Sequence, residues 1–495
     1  MEPALPFAPD LAGPGGRTAC LHRELRAAIL DGRLAAGSAL PSTRALAAQL
    51  GVARNTAATA YDLLVAEGYL LPRARARPLV ADVRARAGAT PARGDHAQRL
   101  APFWRTPFLQ AAALPPATGP SFRLGVPDHR RFPHALWRRL TAQALRRFAR
   151  QPFSYPPSDG LPELRAAIAG HVAFARAVAC RAEDVIVTSG AQQAFDLVAR
   201  LLVTPGATRV AVEEPGYPPL RAAFAAAGAD LVPVPVDDEG VLVERIPGDV
   251  RVVSVTPSHQ SPTGTVLSRR RRLALLQFAR ERDAVVVEDD YDGEFRFGAR
   301  PLDALQTLDR EERVFYVGTF SKSLFPALRK GFVVAPPWAR APLAAAKHCA
   351  DAHSDAIAQA VLAAFIHDGH LARHVRRMRA LYAARRLALL DGLAALAPWL
   401  APIPSEAGLH LAARLRDPAR EDALMALVRA HAPGAQACGE YALGPLAEPA
   451  VVFGYGVIEA DDIRARLAAL RAALAARLPP GTGPARRRRQ GMHGP

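Results

Sequence analysis

Six short runs limit what this chain can become more than any other feature: DVIVTSG, TRVAVEEP, RVVSVTPS, DAVVVEDD, RVFYVGTF and GFVVAP. Each is apolar without alternation, rich in valine, and most are separated from the next by a helical pattern. A strand with one wet face alternates; a continuously apolar one is covered on both faces. The pattern predicts an α/β domain with a mainly parallel central sheet over residues 121–478. In open sheets of this kind ligands lie beyond the carboxyl ends of the strands. The polar residues that close these runs are therefore where chemistry is to be sought.

Ahead of this region, residues 17–82 carry short helical patterns ending in an extended stretch. Residues 83–120 are rich in Ala, Pro, Gly and Arg and read as a linker. Residues 479–495 read as a basic disordered tail, whose arginine run at 486–489 can touch phosphates but is explained as well by solvation. No apolar run is long enough for a membrane span, and the N-terminus has no cationic start followed by an apolar stretch, so the expected location is the cytoplasm. Four dispersed cysteines show no metal-type spacing, and no metal is expected.

The net charge is +17, which permits nucleic-acid binding without demanding it. More telling is how the positive charge is made. Of 63 basic residues only Lys322, Lys330 and Lys347 are lysine. A lysine kept in an arginine background is a candidate for work that arginine cannot do. Imine formation is such work, since it needs a primary amine able to lose its proton.

Four strand ends supply matching groups. After DVIVTS, Gly190, Ala191 and Gln192 lead into a helical pattern, and a small-residue turn at a helix N-terminus offers N–H groups to a phosphate. After TRVAVEEP comes Tyr217, able to stack on a flat ring. After DAVVVE come Asp289, Asp290, Tyr291 and Asp292. A carboxylate there can pair with a protonated pyridine nitrogen and the tyrosine can bond a ring oxygen, although an acidic loop or a divalent-metal site is the alternative. After RVFYVG come Thr319, Ser321 and Lys322, with Arg329 seven residues past the lysine. In this order the groups fit one pyridoxal 5′-phosphate site.

Residues 121–475 resemble a fold-type I aminotransferase through SYPPSDGLPELR, TSGAQQAFDL, EEPGYPP, TPSHQSPTG, VEDDYDGEFRF and GTFSKSLFPALRKGF. The resemblance implies that Lys322 carries the covalent imine, Asp289 pairs with the pyridine nitrogen and Tyr291 bonds the ring oxygen. Tyr217 would stack on the ring, and Ala191, Gln192, Thr319 and Arg329 would hold the phosphate, which the Ser321 hydroxyl, by its own chemistry, can also meet. Tyr155 would reach the phosphate of a partner subunit, because family sites lie at a dimer interface. Two departures stand out. The family's NPTG asparagine is Ser261, and the late strand around VVFGYG has Val452 and Phe453 where a carboxylate-gripping arginine is expected.

In the N-terminal region Leu21, Leu25, Ala28 and Ile29 share a helical face. Ser42 can cap a helix over TRALAAQL that Gly51 ends, and a second helix begins after Ala53. Arg54, Asn55 and Thr56 fall in its first turn, where bases and phosphates are met, and Arg44 opens the preceding helix. The stretch from 20 to 81 resembles the winged helix-turn-helix (α+β) of GntR-type regulators. It departs at the wing, where PRARARPLVAD replaces a glycine-rich hairpin, leaving Arg73, Arg75 and Arg77 as possible groove contacts. Ala53 also stands where a capping serine or threonine is expected.

A GntR-like head, a linker and an aminotransferase-like domain, in that order, resemble the MocR/GabR regulators. The resemblance implies a homodimer that binds double-stranded promoter DNA and senses a small amino compound, or the cofactor itself, rather than turning substrate over. The alternatives are a working aminotransferase with an accessory domain, and a cofactor-binding protein whose head has lost DNA.

Overall fold

The computed structural model describes residues 4–73, 76–82, 99–105, 119–152, 154–298 and 303–479. Most of the 83–120 linker, Arg75 of the wing and the tail from 480 lie outside the described residues. The chain divides into two compact units, Met1–Leu100 and Ala101–Pro495.

The first unit packs three helices, α1 (Gly16–Leu30), α2 (Thr43–Leu50) and α3 (Arg54–Ala66). Leu21, Leu25, Ala28 and Ile29 are buried on one face of α1, as their spacing predicts. Each such leucine or isoleucine, taken out of water, contributes roughly 1.5–3 kcal/mol. Ser42 caps α2 by accepting from the Ala45 N–H at 3.2 Å, and Gly51 ends it in the left-handed conformation. Ala53 gives α3 no side-chain cap. The core reaches back to Leu5, whose N–H donates to Gln49 Oε1 at 3.0 Å.

The wing forms without its glycine turn. Strands β1 (Leu70–Leu71) and β2 (Leu79–Val80) pair antiparallel, Leu70 opposite Val80. The turn is not what holds them. Leu70 and Val80 are both buried in the head's core. Strand β2 is also claimed from its other side: Val80 N donates to Ser38 O at 2.9 Å and Gly37 N to Val80 O at 2.8 Å.

The second unit centres on an eight-stranded sheet. Its strands are β3 (Val185–Thr188), β4 (Arg209–Glu214), β5 (Asp230–Asp237), β6 (Gly240–Val241), β7 (Val252–Val255), β8 (Val285–Asp290), β9 (Val314–Thr319) and β10 (Gly331–Val334). The order is β3-β10-β9-β8-β7-β4-β5-β6. Pairs β4–β5, β4–β7, β7–β8 and β8–β9 are parallel; β10 runs antiparallel to both β3 and β9. All six valine-rich runs are strands of this sheet. Alternate residues enter cores on opposite faces: Val287 and Val317 one, Val286 and Val314 the other. That is why the runs do not alternate in sequence.

A second, antiparallel sheet follows, β11 (Leu400–Pro402), β12 (His410–Leu415), β13 (Gln436–Ala437) and β14 (Ala450–Gly454), in the order β11-β12-β14-β13. Among the described residues, no helix is long and apolar enough to cross a membrane.

Candidate functional site

The carboxyl ends of the parallel strands open onto a cavity of about 530 Å³. Strand β4 brings Tyr217, the segment after β7 brings Ser261, β8 brings Asp289 and Tyr291, and β9 brings Thr319, Ser321 and Lys322. Ala191 and Gln192 open the helix Ala191–Leu202 beside Arg329. Nine of the ten residues assigned to cofactor binding from sequence thus line one cavity; Tyr155 does not. It is 86% exposed and lies against the His353 ring.

Lys322 is the lysine in this cavity. Its Nζ donates to Gly125 O at 2.7 Å. Burial lowers its pKa, against the pull of Asp292 and Asp289, so the amine loses its proton more readily than a surface lysine. Lys330 and Lys347 are buried outside the cavity, and Lys347 is tied to Asp351.

The three aspartates of DDYD have separate environments. Asp290 accepts from Arg176 Nε at 2.6 Å and from the Tyr316 hydroxyl at 2.7 Å, a buried structural cluster. Asp292 meets His259 Nδ1 at 3.0 Å. Asp289 is fully buried with Oδ1 unpartnered. Burial raises its pKa well above the carboxylate range, and the neighbouring Asp290 and Asp292 add to that. Such a carboxyl ionises readily only when a cation arrives beside it.

At the other end, Arg329 Nη2 donates to Ser189 O at 2.7 Å. The guanidinium lies so close over Gly190 that a Cβ there would sit 2.7–2.9 Å from it, at a φ of +84°. Thr319 Oγ1 and Ser321 Oγ are 3.0 Å apart. An uncapped helix N-terminus, two hydroxyls and a guanidinium thus converge as an anion cradle.

The sequence gives no sign of what the second sheet contributes. His410 from β12, Gln436 from β13, and Glu440 and Tyr441 after it also line the cavity, as do Leu124 and Gly125. No motif marks them, because antiparallel strands far along the chain deliver them. Val452 and Phe453 of β14 are fully buried and do not line it. Arg329 is the one guanidinium among the described lining residues, so no second arginine replaces the missing clamp there. His410 of the lining and, behind it, His259 and Asp292 hold donor atoms within 4.8 Å of one another.

In the head, Arg44, Arg54 and Asn55 are exposed at the starts of α2 and α3, and Thr56 is half-buried with its N–H on Ala53 O at 3.0 Å.

Two family patterns match the chain: bacterial regulatory proteins of the gntR family over residues 19–78, and aminotransferase class I and II over 132–437. The probable rhizopine catabolism regulatory protein MocR of Rhizobium meliloti is 37% identical, over 92% of this chain and 93% of its own length. This chain belongs to the MocR-type transcriptional regulators. The pyridoxine biosynthesis regulator PdxR of Corynebacterium glutamicum is 34% identical, over 93% of this chain and 96% of its own. Among solved structures, LysN, the α-aminoadipate aminotransferase of Thermus thermophilus, complexed with N-(5′-phosphopyridoxyl)-L-leucine, matches with a TM-score of 0.65 and 29% identity, covering 72% of this chain and 92% of its own. Like its relatives, this MocR-type regulator joins a DNA-binding head to an aminotransferase-like unit and acts in transcription.

Proposed function

We propose that this regulator holds pyridoxal 5′-phosphate in the large cavity and reads a small amino compound, or the cofactor itself, through it. The observation that carries the reading is Asp289: a buried carboxyl with an unpartnered oxygen, in the same cavity as a lysine whose proton is loosened by burial. A pyridinium nitrogen is the cation that carboxyl lacks. When bound, the cofactor supplies an electrophilic carbon to a primary amine. Lys322 provides the resident amine and Tyr291 faces the ring oxygen. Tyr217 packs on the ring, and Ala191, Gln192, Thr319, Ser321 and Arg329 hold the phosphate. Gly190→Ala tests the cradle. The new Cβ must displace the Arg329 guanidinium, so the dissociation constant for pyridoxal phosphate, measured by titrating the apo-protein, is expected to rise about tenfold, the effect of losing one charge-assisted contact.

In this reading the protein is a homodimer, with Tyr155 of each subunit serving the phosphate of the other, and Arg44, Arg54, Asn55 and Thr56 meet promoter DNA. The bare N-terminus of α3 suits such a contact. With no side chain capping it, the N–H groups of Arg54 and Asn55 are open to a phosphate, while that of Thr56 already bonds Ala53 O. An effector amine that displaces Lys322 favours one of two dimer states, and the heads follow. The test is a mobility shift on the DNA upstream of the protein's own gene, with cofactor-loaded protein and a panel of amines. Salt-dependent binding that one amine strengthens or weakens is expected. Robust steady-state transamination with common amino donors, together with no DNA binding, would reverse the reading in favour of a working aminotransferase.

A further inference from the structure

We propose that His259 and Asp292 form a positioning relay behind Tyr291, fixing its hydroxyl as an acceptor on the buried side and so directing its proton into the cavity. The inference rests on the cofactor reading above and extends it to residues that touch no ligand.

His259 Nδ1 lies 3.0 Å from Asp292 Oδ2, 3.2 Å from Asp292 Oδ1 and 3.0 Å from the Tyr291 hydroxyl. One nitrogen cannot serve all three as an acceptor. An ionised carboxylate only accepts, so the hydrogen between His259 and Asp292 belongs to Nδ1. The other ring nitrogen, Nε2, is buried with no partner. An orphaned buried N–H is rarer than an unused lone pair, so we assign the His259 hydrogen to Nδ1 and the bare lone pair to Nε2. That hydrogen is shared between Asp292 and Tyr291. The Tyr291 oxygen then accepts from the histidine and cannot donate to it. Its own proton points elsewhere, and the remaining side of Tyr291 is the cavity.

The ring is held in this pose by close packing. A Cβ on Gly408 would collide with His259 Cε1 and Nδ1 and lie 2.6 Å from Asp292 Oδ2. On the other side a Cβ on Gly264 would lie 3.2 Å from Nε2. Both glycines have left-handed φ, so backbone presses on the imidazole where no other residue fits. The His410 ring packs beside it at a tilt, centroids 4.5 Å apart, with Nε2 on Pro262 O at 3.1 Å; burial keeps that imidazole neutral. Besides Asp292, the ionisable groups that face Tyr291 are Asp289, Glu213 and Tyr441, and those that face Lys322 are Asp292, Asp289 and Arg329.

The relay predicts a spectroscopic signature. A Tyr291 proton on the cofactor's ring oxygen stabilises negative charge there. Withdrawing it leaves that charge to hold the proton on the nearby nitrogen contributed by Lys322, so the pH midpoint of the visible band rises. In Asp292→Asn the charge that holds the hydrogen on Nδ1 is gone and the histidine can take its other tautomer; Nδ1 then accepts from Tyr291, whose proton leaves the cavity. With cofactor-loaded protein, the midpoint of Asp292→Asn is expected about one pH unit above wild type, a tenfold change in proton affinity. Tyr291→Phe shifts it at least as far, and Asp292→Asn on that background adds nothing. His259→Asn, whose amide nitrogen falls near the place of Nδ1, stays closer to wild type. An unmoved Asp292→Asn midpoint, or a shift that adds to that of Tyr291→Phe, overturns the relay. So does stoichiometric zinc in the purified protein, which would make His259, Asp292 and His410 metal ligands instead. A wild-type protein with no visible band overturns the cofactor reading, and the relay falls with it; a normal wild-type band with unmoved variants overturns the relay alone.

Discussion

Replacing Lys322 with alanine is expected to abolish the visible absorbance of the protein reconstituted with pyridoxal phosphate, while Lys330→Ala and Lys347→Ala keep it. The three lysines are equivalent in composition and unequal in place. Lys330 and Lys347 are buried apart from the cavity, the first beside the Arg329 carbonyl and the second against Asp351. Lys322 alone of the three lines the cavity, within reach of Asp289 and Tyr291. An arginine cannot replace it, because a guanidinium does not give up its proton at accessible pH. The measurement is the absorbance spectrum of each variant after reconstitution and removal of free cofactor. A persistent band in Lys322→Ala would move the covalent site to another amine. Phosphate-end binding should survive in that variant, since Arg329, Thr319 and Ser321 do not depend on the lysine; cofactor retained without the band is the expected pairing.

The part of this architecture that sequence makes legible is the part with the simplest physics. Strands covered on both faces cannot alternate, so β3, β4 and β7 to β10 announce themselves as valine runs. Strand β5 hides because Pro233 and Pro235 look like strand breakers. Both are exposed or nearly so on a strand whose outer neighbour β6 is two residues long, so their missing N–H groups cost little. Site residues at strand ends are legible for the same reason as the strands. His410, Gln436 and Tyr441 are not, since a second sheet carries them in and nothing local marks them. The TPSHQSPTG and DDYDG motifs draw attention to Ser261, Asp289 and Tyr291, while His259 and Asp292 in the same strings carry no local signal of their own. Their meaning is a pairing across the fold, with Gly408 from a third segment closing on it. At the wing, local chemistry asks for a turn residue, whereas burial of Leu70 and Val80 and pairing with residues 37–40 hold the strands.

Arg54→Ala is the change expected to cost the head most. The residue opens α3, is exposed, and makes no ion pair with any described residue. An arginine held in that first turn can grip two acceptors on a guanine edge, and losing such a bidentate contact costs roughly 1–3 kcal/mol, about five- to 150-fold in affinity. Arg44, at the second position of α2, is placed instead to contact backbone phosphate. The two roles separate by salt. If Arg54 reads a base, Arg54→Ala weakens binding to the cognate site far more than to unrelated DNA and compresses the ratio between them. If Arg44 meets a phosphate, Arg44→Ala weakens both alike and flattens the dependence of log K on log salt by close to one charge. Quantitative mobility shifts at several salt concentrations, on cognate and scrambled duplexes, measure both. Equal losses on the two duplexes for Arg54→Ala would reassign it to the backbone, and unchanged affinity would remove it from the interface. Because Ala53 leaves the start of α3 uncapped, the converse change is informative as well. Ala53→Ser gives the helix an acceptor of its own that competes with a DNA phosphate for the same N–H groups. It should stabilise the head while weakening DNA, a combination that a purely structural N-terminus would not produce.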